Sequence, residues 1–327
     1  MSDCTPIFLF GMDRSGTTLL AMMVGAHPEI AVPLATTGMW YEFADRLGNY
    51  HNLRTSGDLQ RIVNDVAEHE RIRLWRTELD LARIVSDVHE GGIESVVAAF
   101  HKEYARQKQK RCWANSDIAT LDQMHRAYHW FPNARFVHII RDGRDVALSN
   151  QTTPYGRGNI YECAEKWTAS LRTNLRMGAI LGSDHYHVVR YEKLILDAEQ
   201  TLTQLCGFIG VPFSREMLNY GASVDERVPQ EKQWLWPALK LPPQASKVER
   251  WRHEMTVTQR IVFERIAGPL LKELDYPVYE HIPRRLSALF LELLYLLDRG
   301  GRSQRFLRKM GYHRESLLER MRRARPD

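Results

Sequence analysis

Short, unbroken apolar runs alternate along this chain with longer stretches of helical period. "PIFLF" (6–10) is such a run, and it ends at Gly11. It reads as a buried strand feeding a loop. "TTLLAMMVGAHPEI" then reads as a helix that stops near Gly25 and Pro28. Residues 40–109 are mostly amphipathic helix with charged faces, as in "LQRIVNDVAEHERIRLW". "ARFVHII" (134–140) is a second buried strand, running into "RDGRDVALSN", and "HYHVVRYEKL" (185–194) supplies a third. "EQTLTQLCGFIGVPF" follows as a helix closed by Gly210 and Pro212. This alternation predicts an α/β fold whose parallel sheet is flanked by helices on both faces. Ligands of such sheets sit at the carboxyl ends of the strands. Gly11–Thr18, Arg141–Ser149 and Tyr191 all follow strand ends and are expected to converge there.

The first of these loops narrows the fold to a P-loop type. "GMDRSGTTLL" (11–20) has Gly11, four residues, Gly16, then Thr17 and Thr18. Strand, glycine loop and helix form a phosphate-binding unit: loop N–H groups and the positive helix end hold an anion. A nucleotide triphosphatase would carry Lys where Thr17 stands, with a magnesium ion beside it. Here the cation is Arg14, inside the turn, and its planar fork suits a phosphate or sulfuryl oxygen. A donor with less charge at its reactive end needs no magnesium, so no metal is expected.

Composition is that of a globular protein, 44% hydrophobic and 26% charged. Cys4, Cys112, Cys163 and Cys206 are scattered without paired spacing. That argues against a disulfide framework or a zinc site and reads as four reduced thiols in a cytoplasmic protein. Residues 1–5 are polar and the apolar run after them is short, so no signal peptide is read. The formal charge of +5 comes from one end: residues 284–327 hold twelve Lys/Arg against five Asp/Glu. The body is therefore not a basic nucleic-acid binder. "IPRRLSALFLELLYLLDRG" and the basic stretch after it predict a helical C-terminal extension over 283–327, beyond an α/β domain over 1–282. That extension either lies on an anionic membrane surface or packs on the body or on a second subunit.

At "FGMDRSGTTLL" with "AHPEI", and again at "ARFVHIIRDGRDVALS", the chain resembles sulfotransferases that use 3′-phosphoadenosine 5′-phosphosulfate (PAPS), closest to the bacterial and tyrosylprotein branches. "VVRYEKLILDAEQTLTQLCGFIGVPF", "ASKVERWRHEM" and "GPLLKELDY" resemble later blocks of that family. The resemblance implies that Arg14 faces the phosphate–sulfuryl bridge and that Ser15, Gly16, Thr17 and Thr18 cradle the 5′-phosphate. It places Arg141 and Ser149 on the 3′-phosphate and Tyr191 near the adenosine. Ser246 and Lys247 are either further contacts or solvated. The implied reaction moves a sulfuryl group to a hydroxyl or amine of a small-molecule acceptor and releases adenosine 3′,5′-bisphosphate. The helices of about 34–110 are the expected acceptor pocket. Met39, Trp40 and Phe43 in "TTGMWYEF" fit that pocket or ordinary core equally well.

The sequence departs from the family at its base. Ala35 occupies the position of the catalytic Glu, and "CWANSD" has Asn115 and Ser116 where a lysine is expected. Glu42, Asp117, His125 and His129 are candidate replacements. Two rivals therefore stand beside the transferase: a PAPS-binding protein impaired in catalysis, and a magnesium-dependent P-loop nucleotide kinase. Elsewhere simpler roles are expected. Arg144 and Asp145 pair on a helix surface, Trp167 and Trp251 pack, and His27 caps a helix end.

Overall fold

Alternation along the strands explains how one sheet serves two different cores. The computed structural model describes residues 4–34, 38–50, 56–88, 92–116, 121–151, 160–228 and 237–279. Strand β1 (Ile7–Phe10) is buried throughout. It pairs in parallel with β3 (Cys112–Asn115) on one side and β4 (Arg135–Ile140) on the other. The short β2 (Ile30–Ala31) joins β3, and β5 (Tyr186–Arg190) joins β4, giving the order β2-β3-β1-β4-β5. All pairings are parallel, as expected from the strand–helix alternation.

Successive side chains point to opposite faces. Ile7, Leu9, Cys112, Ala114, Val137 and Ile139 enter an aliphatic core with α1 (Thr17–Ala26). Phe8, Phe10, Trp113 and Phe136 enter an aromatic core on the other face. That second core is built by α2 (Met39–Asp45), α3 (Ser56–Glu68), α4 (Glu70–Arg73), α5 (Leu81–Asp87), α6 (Ile93–Gln107) and α7 (Leu121–Trp130). Met39, Trp40 and Phe43 belong to it and are buried, so core packing accounts for them. Among the described residues of 40–109 the mostly helical reading holds.

The remaining elements are α8 (Gly143–Gln151), α9 (Ile160–Leu181), α10 (Tyr191–Leu196), α11 (Ala198–Ile209), α12 (Val224–Arg227), α13 (Trp251–Glu254) and α14 (Val257–Glu273). The third strand ends earlier than the sequence suggests, because Tyr191 opens α10. Helix α11 closes at Gly210 in the left-handed conformation (φ 82°), as its glycine predicts. Among the described residues no helix is long and apolar enough to cross a membrane.

The chain divides into two compact units, Met1–Asp142 with Ala169–Arg250, and Gly143–Thr168 with Trp251–Asp327. The first holds the whole sheet. In the second, Arg144 is fully buried and pairs with Glu264 at 2.7 Å while stacking on Trp251 at 3.5 Å. Asp145, also buried, accepts a hydrogen bond from the Trp251 backbone N–H. The expected surface location of Arg144 and Asp145 is thus corrected: both are buried, and each has a partner distant in sequence. Trp167 and Trp251 are fully buried and pack, as expected. The extension expected over 283–327 lies outside the described residues.

The thiol reading is also corrected. Cys4 and Cys112 form a disulfide, with Cα atoms 5.2 Å apart. Cys4 lies just ahead of β1 and Cys112 opens β3, and the β1–β3 pairing brings these strand beginnings together. Cys163 and Cys206 are free and buried.

Candidate active site

The loop between β1 and α1 owes its shape to two glycines. A Cβ on Gly11 would collide with the Ile139 carbonyl of β4, so only glycine lets these chain segments approach. Gly16 has φ 99°, and a Cβ there would also meet the Tyr191 ring at 2.6 Å. Arg14 takes φ 70°, a left-handed conformation costing a non-glycine residue about 1–2 kcal/mol. Left-handed Arg14 and Gly16 flank Ser15, whose φ is negative. Backbone of alternating hand forms anion-binding concavities; here the Ser15 N–H itself donates to the Met12 carbonyl at 3.0 Å.

Helix α1 starts directly from this concavity. Its N-cap Gly16 supplies no side-chain cap, and its first turn holds no acidic residue. The positive helix end thus meets no negative side chain of its own first turn. Ser15 is fully buried, and its Oγ has no hydrogen-bond partner. An orphaned hydroxyl costs roughly 1–3 kcal/mol unless something accepts or donates to it. Thr17 and Thr18 follow, both partly buried, on the first turn.

Arg141, one residue past β4, ties the loop down. It is 5% exposed. Its Nη1 donates to the Arg14 carbonyl at 3.2 Å and its Nη2 to the Lys247 carbonyl at 2.7 Å. The guanidinium lies over the Tyr191 ring at 4.2 Å. Next to it, the Asp142 N–H donates to Glu192 at 2.8 Å. Burial pushes the Arg14 pKa down, and the nearby Arg141 charge pushes it further; Asp13 and Tyr191 oppose both. Two guanidinium groups held this close favour a polyanionic ligand between them.

Within the first unit, the structure therefore brings together Arg14, Ser15, Gly16, Arg141, Tyr191 and Lys247. Lys247 joins through its backbone, in a short 3-10 turn (Ala245–Lys247), while Ser246 is exposed. Ser149 lies buried on α8, in the second unit. Sequence reasoning missed the clamp from Arg141 to the loop carbonyl and the use of Tyr191 as a platform under Gly16. Of the candidate bases, Glu42, His125 and His129 are exposed on α2 and α7, and His125 contacts Met177 Sδ at 3.1 Å. Ala35 and Asp117 lie outside the described residues. His27 is the C-cap residue of α1, as expected; its Nδ1 accepts from the Glu29 N–H at 3.0 Å. Among the described residues no cluster of His, Cys, Asp or Glu is placed to hold a metal ion.

Residues 6–215 match the pattern described as "Sulfotransferase family". The chain belongs to the sulfotransferase family. Curated relatives include protein-tyrosine sulfotransferase A of Caenorhabditis elegans, 25% identical over 65% of this chain and 52% of its own length. The Drosophila melanogaster protein-tyrosine sulfotransferase is 26% identical over 65% of this chain and 40% of its own. The chain thus spans about half the length of the curated relatives it matches. Among solved structures, the sulfotransferase domain of the Synechococcus PCC 7002 olefin synthase aligns with a TM-score of 0.55 at 22% identity, covering 85% of this chain and 98% of that one. The sulfotransferase domain from the curacin biosynthetic pathway gives 0.53 at 20% identity, covering 84% and 99%. At these identities the two structures show a shared fold.

Proposed function

We propose that this sulfotransferase-family chain moves a sulfuryl group from PAPS to a hydroxyl or amine of a small-molecule acceptor. The observation that carries the reading is the orphaned, buried Ser15 hydroxyl inside a loop of alternating hand, with Arg141 bonded to the adjoining Arg14 carbonyl.

The donor supplies an activated sulfuryl group whose leaving group is a phosphate. The chain's own residues do the rest. Loop N–H groups, the Ser15 hydroxyl and the first turn of α1 hold the 5′-phosphate. The Arg14 guanidinium neutralises the charge that grows on the bridging oxygen as the S–O bond breaks. Stabilisation of this kind is worth roughly 3–4 kcal/mol per donor group. Arg141 has two duties here: it fixes the loop through the Arg14 carbonyl and brings its positive charge to the 3′-phosphate. The part given to Ser149 on that phosphate rests on the sequence resemblance alone.

A second acceptor class is favoured by one finding. The curated relatives are named protein-tyrosine sulfotransferases, so a phenolic hydroxyl on a peptide is the alternative to a small molecule. Assaying labelled PAPS against simple phenols, amines and a tyrosine peptide separates the two.

Calorimetry tests the donor site. Adenosine 3′,5′-bisphosphate is expected to bind without magnesium, and Arg141→Glu to weaken it by at least 100-fold, about 2.7 kcal/mol. Unchanged affinity in that variant would remove the donor reading. Tight binding of magnesium–ATP in place of the bisphosphate would favour a kinase.

A further inference from the structure

Helix α1 has a second charged end. It runs for ten residues, about 15 Å, from the donor loop to Ala26. A cavity of about 460 Å³ opens at this carboxyl end, on the far side of α1 from Gly16. Its apolar wall includes Ala31, Val32 and Tyr104, and its charged wall holds Lys108, Lys110 and Arg227 with Glu216 and Glu226. The volume falls in the range of small-molecule sites.

The chain is shaped to deliver these cations. Helix α6 ends at Gln107, and Gln109 takes φ 53°, turning the chain so that Lys108 and Lys110 both line the cavity. Lys110 Nζ donates to the carbonyls of Gly25 (2.6 Å) and Ile30 (3.2 Å). Arg227, the last residue of α12, donates to the carbonyls of Met22 (2.8 Å), Ala21 (3.0 Å) and Val32 (3.2 Å). A side chain on Gly25 would strike the Arg227 guanidinium, so the glycine makes room for it.

The charge balance is uneven. Lys108 is matched by Glu226 at 2.7 Å. Arg227 and Lys110 meet only backbone carbonyls, with no carboxylate at ion-pair distance among the described residues. The carboxyl end of α1 offers about half a negative charge. Two full positive charges stand against it. Capping the helix therefore accounts for only part of this cluster. Glu226 is taken up by Lys108, and Glu216 stands on the exposed rim where solvent screens it, so neither forms an ion pair with Lys110 or Arg227. Burial lowers the Lys110 pKa to about 8, with the charges of Arg227 and Lys108 adding to the shift and Glu216 and Glu226 opposing it. Arg227 is lowered too, by burial first.

We propose that this cavity binds a small phosphate monoester, with its dianionic head between Lys110 and Arg227 and its apolar body against Tyr104, Ala31 and Val32. The site is separate from the donor loop and does not depend on the donor reading. A dianion neutralises both unmatched cations, and a sulfate ester or carboxylate neutralises one.

The test is calorimetry with phenyl phosphate on the full chain, the two cavity variants below separating this site from the loop at the other end of α1. Binding is expected at millimolar affinity or better, with phenyl sulfate and benzoate each about tenfold weaker. Lys110→Met should weaken phenyl phosphate about tenfold. Ala222→Glu, which adds a negative charge at the exposed rim without touching the core, should do the same if Lys110→Met folds poorly. At pH 8 the heat should vary with the ionisation enthalpy of the buffer, because the anion draws a proton onto Lys110. No binding overturns the proposal. So does binding that both variants leave unchanged, or heat independent of buffer. A preference for phenyl sulfate or benzoate would also overturn the dianion assignment.

Discussion

The two faces of the sheet are built from different side chains and do different work. On the α1 face the strands present Ile, Leu, Val and Ala, and the core beneath them is aliphatic. The loop that leaves β1 on this side carries left-handed backbone, an orphaned hydroxyl and paired guanidinium groups. The opposite face is aromatic. Phe8 stacks on Phe136, and Trp40 meets Phe100, Trp75 and His101 within 6.5 Å. The aliphatic face thus supports a strained site, and the aromatic face supplies bulk. Strain at one place persists only where surrounding packing over-determines it.

The largest effect that sharpens this division is on the aromatic side. Trp40 is 1% exposed at the centre of its cluster. Trp40→Ala should cost about 3–5 kcal/mol of stability, read by thermal or urea unfolding. Affinity for adenosine 3′,5′-bisphosphate, measured below the new midpoint, should hold. A variant that kept its Tm and lost nucleotide affinity would turn the comparison around.

Arg14→Gly makes the reverse cut. Sulfuryl transfer should fall by roughly 10²–10³-fold, as when an oxyanion donor is removed. Glycine accepts φ 70° freely, so Tm should stay level or rise. A fall in Tm would mean that the Arg14 charge stabilises the fold and that the loop holds no stored strain.

These contrasts also explain what the sequence could reveal. The glycine loop between β1 and α1 was legible as a loop because its residues are contiguous: strand, two glycines, Arg14 and two threonines all within residues 6–18. The strands β1 and β4 and the helix α11 were legible from apolar runs and a closing glycine. Strands β2 and β3 were not, since Ile30–Ala31 and Cys112–Asn115 are too short to show a period. They exist because neighbouring strands pair with them, which is a non-local cause. The Cys4–Cys112 disulfide bridges 108 residues, and Arg144 reaches Glu264 across 120. No local pattern encodes either. At the third strand, propensity had the information: Glu192, Lys193 and Leu194 after Tyr191 favour helix, and α10 begins there. The aromatics of "TTGMWYEF" were ambiguous in sequence because pocket and core use the same residues, and burial decides for core at Met39, Trp40 and Phe43.

The smallest effect distinguishes the faces by pH. The aromatic face buries two imidazoles completely, His101 and His138. His101 Nδ1 lies 2.8 Å from the Val97 carbonyl and its Nε2 lies 3.2 Å from Asn115. His138 stacks on Phe10 and bonds to the Tyr186 hydroxyl at 2.6 Å. Burial lowers their pKa values to about 4 and about 3, against about 6.5 in an unfolded chain. Below that value the unfolded chain takes up protons that the folded chain refuses, so stability falls as pH drops from about 6.5 toward the folded values. Each imidazole should remove roughly 1–2 kcal/mol between pH 7 and pH 5. The aliphatic face has the opposite liability. Burial raises the Cys206 thiol to about 11, so its contribution is complete below the unfolded thiol pKa and lost as pH rises toward the folded one. Unfolding free energies should therefore decline toward pH 5; toward pH 10 the loss at Cys206 is opposed by Lys110, whose lowered pKa makes stability rise with pH. His138→Phe should flatten only the acid limb and Cys206→Ala should raise only the alkaline one, whatever each does to stability at pH 7. An acid limb unchanged by His138→Phe would show that the aromatic face tolerates protonation, and that its packing is looser than the burial of these rings implies.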